Sequence, residues 1–553
     1  MKITDTSDLW WKTAVIYCLD VEMFLDSDGD GVGDLSGVAQ RIDYLANLGV
    51  TCLWLMPFYP SPGRDDGYDI TDFYGIDPRL GTHGDLVELL RTANDRGIRV
   101  IVDLVVNHTS DKHPWFVNAR RSRNAKFRDY YVWTDKPPKK QAKTVFPGEE
   151  SGVWELDKTT GQYYLHSFYR YQPDLNIANP RVRDEIAKVI GFWLELGVSG
   201  FRVDAVPFLI EAPPGVDIGD PHEFLRDLRR FLERRRGDAV LLGEVNLPYA
   251  QQVEFFGVHG AQELTLQFDF ISMQALYLSL ARSDPAPLIR ALNARPELAP
   301  ESQYANFVRN HDELTLDKLT DAERQEVFEA FAPDERQRVY GRGITRRIPP
   351  MLGGDPRRIR MVYSLLFTLP GTPVLFYGEE IGMGENTEIQ GRPSVRTPMQ
   401  WTRARNGGFS AAPPSRLVAA PPADGYAPQH VNVDDQLGDD GSLLQFVQRL
   451  ASRYRSSAEL GWGRFEVLEQ DQPAVLAHSL TADVGRFVAL HNFADVPVTT
   501  TIVLNDDPDA VALSDLLGPD RIALDEHKGA VIELPPYGYR WLRVVRPADG
   551  RLS

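Results

Sequence analysis

Cysteine is nearly absent from this chain. The two that occur, Cys18 and Cys52, lie inside apolar runs, AVIYCLDV and VTCLWLMPF, where a small hydrophobe packs well. A disulfide framework of the secreted kind is excluded, and a reducing cytoplasm is the expected compartment. Long hydrophobic runs are missing as well. No stretch approaches the roughly 20 apolar residues that a membrane span requires, and the opening MKITDTSDLWWKTAVIY lacks the basic-then-apolar order of a secretory leader. Basic excess is the third absence. With 60 basic against 78 acidic residues the net charge is −18, which disfavours nucleic acid, because binding it rests on neutralising phosphates with a positive surface. The partner that remains is a neutral or cationic small molecule, and composition leaves both a monomer and a homo-oligomer open.

What is present is length and alternation. The 553 residues exceed what one core serves, since single cores stop growing near ~250–300 residues. Eight short apolar runs recur, AVIYCL, VTCLWLM, RVIVDLVV, SGFRVDA, AVLLGE, LTLQFDF, ANFVRN and PVLFYG, with helical spacing between them at 37–49, 84–97, 181–197, 222–237 and 358–371. That alternation predicts a (β/α)8 TIM barrel of α/β class. The surplus is uneven. Residues 1–108 read as the first part of the barrel, 109–175 as a small inserted domain after the third strand, and 176–460 as the second part of the barrel, carrying a further excursion at 313–355. Beyond the helix candidate 442–455 the runs become short and β-rich (FEVLEQ, AVLAHSL, FVALHNF, TTTIVL, YRWLRVV), so 461–553 reads as a small antiparallel β domain.

Charge inside one strand needs a reason. In GFRVDAVPF, residues 200–208, Phe201, Val203 and Ala205 alternate with Arg202 and Asp204, a two-residue period that puts the guanidinium and the carboxyl on one face. Alone, such a pair is an ion pair that tolerates burial. Three other strand ends add polar groups: Asp103, Asn107 and His108 in DLVVNH, Glu244 in LLGE, and His311 and Asp312 in RNHDE. Each has a dull alternative as a cap, a surface acid or a satisfied core histidine, but barrel active sites lie at the C-terminal strand ends, and four such accidents together are improbable. Retaining glycoside transfer wants this set: one carboxylate attacks the anomeric carbon while a protonated one, about 5–5.5 Å away, donates to the leaving oxygen. Arg202 beside Asp204 is expected to keep that nucleophile ionised, while Glu244 needs a raised pKa to serve as acid.

DLVVNH, GFRVDAV, LLGEVN and FVRNHD, with QPDLN at 172–176, resemble the motifs of the α-amylase superfamily, in this order and on these strands. The resemblance covers nearly the whole chain and implies an inserted B domain after strand 3 and a C-terminal β-sandwich domain. It also implies Asp204 as nucleophile, Glu244 as general acid/base and Asp312 as transition-state stabiliser, supported by Asp103, Arg202, His108 and His311. In DDGYDI, at 65–70, Tyr68 would stack on the glucose and Asp69 bind its distal hydroxyls. Arg392, from GRPSVRTPMQW, would pair with that aspartate and wall off the pocket. WLMPFYPSPGRDDGYDI, NHTSDKHPWF, RNHDELTLDKLTDAER and VRTPMQW most resemble the trehalose synthase branch, which implies isomerisation of maltose and trehalose with minor hydrolysis. Ala205 matches the branch, whereas APPGVDIGDPH after Glu211 and LGEVN around the acid depart from it.

DSDGDGVGD, residues 26–34, spaces ligands as a calcium loop does: Asp26, Asp28 and Asp30 at the first, third and fifth positions, the Val32 carbonyl at the seventh and Asp34 at the ninth. Gly37 stands at the twelfth, where a sensor loop needs glutamate, so a structural Ca2+ is expected, with a solvated acidic turn as the alternative. No organic cofactor is expected. Two other functions compete with the isomerase. An exo-acting α-1,4-glucosidase or sucrose-active hydrolase would use the same residues; a non-catalytic, transporter-associated barrel would lack the three acids and carry a membrane anchor.

Overall fold

Eight parallel strands close into a barrel in the computed structural model, which describes residues 9–139, 142–211, 219–257 and 262–547. They are β1 (Ile16–Leu19), β2 (Cys52–Leu55), β3 (Arg99–Leu104), β4 (Gly200–Val203), β5 (Val240–Gly243), β6 (Leu266–Phe268), β7 (Gln303–Phe307) and β8 (Thr372–Phe376). Six fall within the apolar runs, and β7 and β8 begin two residues and one residue ahead of theirs. Their side chains are buried almost without exception, as strands packed inside the barrel and under helices must be. Cys18 and Cys52 are both free and buried.

Local chemistry sets the helices that deliver these strands. Helix Pro180–Leu196 starts where Asn179 accepts from the Arg181 N–H with Pro180 next, and stops at Gly197 with φ 115, a left-handed cap that favours glycine. It hands the chain to β4. The expected helix 37–49 is instead two, Leu35–Gln40 and Ile42–Leu48. At the break, the Arg41 guanidinium lies 4.2 Å over the Trp401 ring, a tertiary contact that no local spacing contains. The fourth run also stops early, at Val203. The Asp204 N–H still bonds the Leu104 carbonyl at 3.2 Å, but Ala205 turns to φ 47 and a short helix, Val206–Leu209, follows. Glu244 captures this turn, its carboxylate accepting from the Ala205 N–H at 3.2 Å and its carbonyl from the Val206 N–H at 3.2 Å.

Between β3 and β4 a three-stranded sheet, Trp133–Thr134, Gln162–Leu165 and Trp154–Asp157, stands off the barrel. After β7 comes a smaller one, Leu314–Thr315, Gly343–Ile344 and Arg338–Val339, with helix Asp321–Phe331. The C-terminal part is a six-stranded and a two-stranded antiparallel sheet sharing an apolar cluster that includes Val488, Ile502, Ile532 and Leu542. It docks on helix Pro356–Thr368, where Ser364 Oγ accepts from Trp541 Nε1 at 2.8 Å and meets His491 Nε2 at 2.8 Å. Among the described residues no helix is long and apolar enough to cross a membrane.

Candidate active site

Strand register builds the floor of the site. Asp103 on β3 lies directly opposite Arg202 on β4, so both side chains point the same way. Arg202 is buried, and one of its terminal nitrogens, Nη1, donates to Asp103 at 2.6 Å and to Asp204 at 2.5 Å. The other, Nη2, donates to Glu244 at 2.7 Å. Trp54 Nε1 holds the second Asp103 oxygen at 2.8 Å. Three carboxylates thus share one guanidinium, and Asp204 and Glu244 hang from its two ends.

The electrostatics separate the two acids. Burial pushes Asp204 up to about 6 against the pull of Arg202. Burial, with Asp204 and Asp312 nearby, takes Glu244 to about 7 although Arg202 opposes it. The guanidinium therefore does not hold Asp204 at an ordinary carboxylate value; desolvation outweighs it. The order is still the useful one, with Asp204 losing its proton first. For Asp312 burial works upward too, but the His311 hydrogen bond and the Arg392 and Arg396 guanidiniums outweigh it and hold this carboxyl well below the usual range.

Asp204, Glu244 and Asp312 face a cavity of about 430 Å3 together with Tyr68, His108 and Arg392. Tyr68 reaches His311 Nε2 through its hydroxyl at 2.8 Å, and the same nitrogen lies 3.2 Å from Asp312. His108 Nε2 meets the Tyr68 carbonyl at 3.2 Å. Burial lowers both histidines to about 4, so they are neutral polar contacts at neutral pH.

Arg392 departs from expectation. Its guanidinium bonds Asp312 at 2.8 Å and Asp65, not Asp69, at 2.8 Å. Asp69 has no exposed surface; it accepts from Arg64 Nε at 3.1 Å and Ser61 Oγ at 2.8 Å and stiffens the loop from behind. The reason is backbone geometry: Asp66 and Gly67, with φ 50 and 91, bend DDGYDI so that its first acid, not its last, enters the cavity. Arg396, from the same segment as Arg392, joins the site although nothing in its spacing marks it. It bonds Asp312 at 3.0 Å and the His311 carbonyl at 2.7 Å and pairs with Asp66. On the opposite wall Asn246 donates to Asp317 at 3.0 Å, and both line the cavity.

In the acidic loop one oxygen from each of Asp26, Asp28 and Asp34 lies within 4.8 Å of the others. Asp30 is not in that group; its carboxylate accepts from the Val32 N–H at 2.8 Å, as those of Asp28 and Asp26 accept from the Asp30 and Gly31 N–H groups. The segment that departs from the branch after Glu211 lies, over 212–218, outside the described residues.

Comparison with known proteins accords with this geometry. The α-amylase catalytic domain family matches residues 19–331 and 343–463, and a sucrose hydrolase-like C-terminal domain matches 485–543. A trehalose synthase of Pimelobacter sp. (strain R48) is 40% identical over 97% of this chain and 96% of its own length. A trehalose synthase/amylase of Mycolicibacterium smegmatis is 43% identical over 86% of this chain and 81% of its own. Among solved structures, an α-amylase from H. orenii superposes with a TM-score of 0.78 at 27% identity, covering 97% of this chain and all of its own, 100%. With barrel, strand-end acids and matched sequence in agreement, the chain belongs to the α-amylase catalytic domain family and is similar throughout its length to trehalose synthases.

Proposed function

We propose that this chain is a retaining α-glucosyltransferase that isomerises maltose and trehalose, with minor hydrolysis. The observation that carries the reading is the pairing of Asp204 and Glu244 on one guanidinium, at the floor of a cavity walled by Arg392, in a chain whose relatives are named trehalose synthases. Its volume, about 430 Å3, is in the range of small-ligand sites, roughly 300–1,000 Å3. In this scheme Asp204 attacks the anomeric carbon of the non-reducing glucose while Glu244 protonates the departing oxygen. An ester forms on Asp204 and one glucose is freed within the cavity. That glucose turns, its anomeric hydroxyl gives its proton to the Glu244 carboxylate, and its oxygen bonds the anomeric carbon as the ester breaks. Asp312, ionised and bonded to two guanidiniums, stabilises the positive charge of the transition state. Asp65, Tyr68, His108 and Arg392, which line the cavity, hold the glucose ring, and His311, fully buried behind them, orients Tyr68 and Asp312. Arg202 and Asp103 orient the acids.

Incubation with maltose, trehalose and sucrose separately, resolving glucose from disaccharides, tests this. Maltose should give mainly trehalose, and the reverse. Two glucose molecules and no non-reducing disaccharide would leave the α-glucosidase reading in place.

A structural Ca2+ on Asp26, Asp28 and Asp34 belongs to the same proposal, because three carboxylate oxygens at this spacing suit a hard cation. Chelation should lower the melting temperature and added Ca2+ restore it; an unchanged melt refutes the site. A cytoplasmic location is supported by the two free cysteines.

A further inference from the structure

The outer wall of the cavity is aromatic and is assembled from distant parts of the chain. Phe146, which lines the cavity, stacks on Tyr169 with centroids 4.4 Å apart and packs on Tyr340 at 5.0 Å. The Tyr169 and Tyr340 hydroxyls meet at 3.4 Å, and the Arg392 guanidinium lies 5.0 Å over the Phe146 ring. The inserted segment after β3 and the excursion after β7 are thereby joined over the arginine that closes the glucose pocket.

Tyr340 is an expensive choice for its own turn. It connects Arg338–Val339 to Gly343–Ile344, with the Arg342 N–H donating to the Val339 carbonyl at 3.2 Å. Tyr340 and Gly341 both have positive φ, 55 and 66, as a tight hairpin turn demands. Asn, Asp or Gly takes the first of these positions at low cost and a bulky aromatic does not. Such strain persists where surroundings over-determine it, and it gathers at functional sites.

We infer that Tyr340 is a positioning residue that sets the split between isomerisation and hydrolysis. Its ring packs Phe146, itself stacked on Tyr169, against Arg392 and keeps the wall shut while the glucosyl ester waits on Asp204. The inference rests on the isomerase reading. Water and the retained glucose compete for the same anomeric carbon; either gives a proton to Glu244 and bonds through oxygen as the ester breaks. Confinement favours the glucose by making its return effectively intramolecular, and a parted wall admits water while letting glucose out.

The test compares wild type, Tyr340→Asn and Tyr340→Phe on maltose in the presence of 13C-labelled glucose. Asn suits the turn, so the fold and melting temperature should hold while the ring is lost. In that variant the free-glucose share, and the label entering disaccharide, should rise about two- to tenfold, the scale of one lost aromatic contact. Phe keeps the ring and should keep the wild-type split. An Asn variant that makes trehalose with an unchanged split overturns the inference alone, as does a Phe variant that leaks as much as Asn. A lowered melting temperature with an unchanged split reduces Tyr340 to a structural role and also overturns it. Wild type that makes no trehalose overturns the isomerase reading and this inference together.

Discussion

The pH dependence of maltose turnover follows from the two shifted carboxyls. Catalysis needs Asp204 ionised and Glu244 protonated, so activity should rise as pH climbs through the lower value, about 6, and fall as it passes the upper, about 7. With those values the fraction of enzyme in the productive state peaks at about 0.6 near pH 6.5 and drops to about 0.1 at about pH 5 and pH 8. The result is a narrow bell with roughly sevenfold losses on either side. Its acid limb belongs to Asp103 and Asp204 together, since burial also lifts Asp103 to about 6 and both share Arg202. The assay is kcat/KM for maltose across pH 4–9, repeated with Glu244→Gln on α-glucosyl fluoride, whose leaving group needs no proton. In that variant the alkaline limb should vanish and the acid limb stay. A flat wild-type profile between pH 5 and 8 refutes the assignment, and so does an alkaline limb that survives in Glu244→Gln.

Asp204→Asn and Glu244→Gln should each retain the wild-type circular dichroism while kcat on maltose falls by about three orders of magnitude or more, because each deletes a distinct covalent or proton-transfer step. Near-native turnover in either sinks the pair. Asp65→Asn should lower kcat/KM for maltose about 10- to 100-fold by stripping Arg392 of a charged partner; Asp69→Asn should cost about 1–3 kcal/mol of stability and leave KM within about twofold. The reverse pattern restores Asp69 to the pocket. Acid should loosen the seam between the C-terminal sheets and the barrel. Burial holds His478 at about 4 against an ordinary 6.5, so its neutral form contributes stability above 6.5 that is lost as pH falls toward 4. From pH 6.5 to 5 this amounts to about 2 kcal/mol. The stability difference between wild type and His478→Gln, which keeps a donor for the Thr368 carbonyl but does not titrate, should change by that amount in urea melts. A difference constant with pH refutes it.

The barrel and the membership of its floor are legible in the residue pattern. Period and burial agree along strands, so eight apolar runs became eight strands, and residues fixed to a strand end, Asp103, Arg202, Glu244 and Asp312, had one place to go once the sheet closed. Loops obey no such period. Whether Asp65 or Asp69 of DDGYDI meets Arg392 depends on a left-handed bend at Asp66 and Gly67, a choice that is not written in spacing. The protonation order of Asp204 and Glu244 follows from the residue types, but the level does not: burial by residues far apart in the chain lifts both carboxyls against the pull of Arg202. The wall that joins Phe146, Tyr169, Tyr340 and Arg392 exists only because two excursions, remote in sequence, fold over the same end of the barrel. Strand positions are local and repeat, whereas desolvation and long-range contact are properties of the assembled volume, and those were left to the tertiary structure.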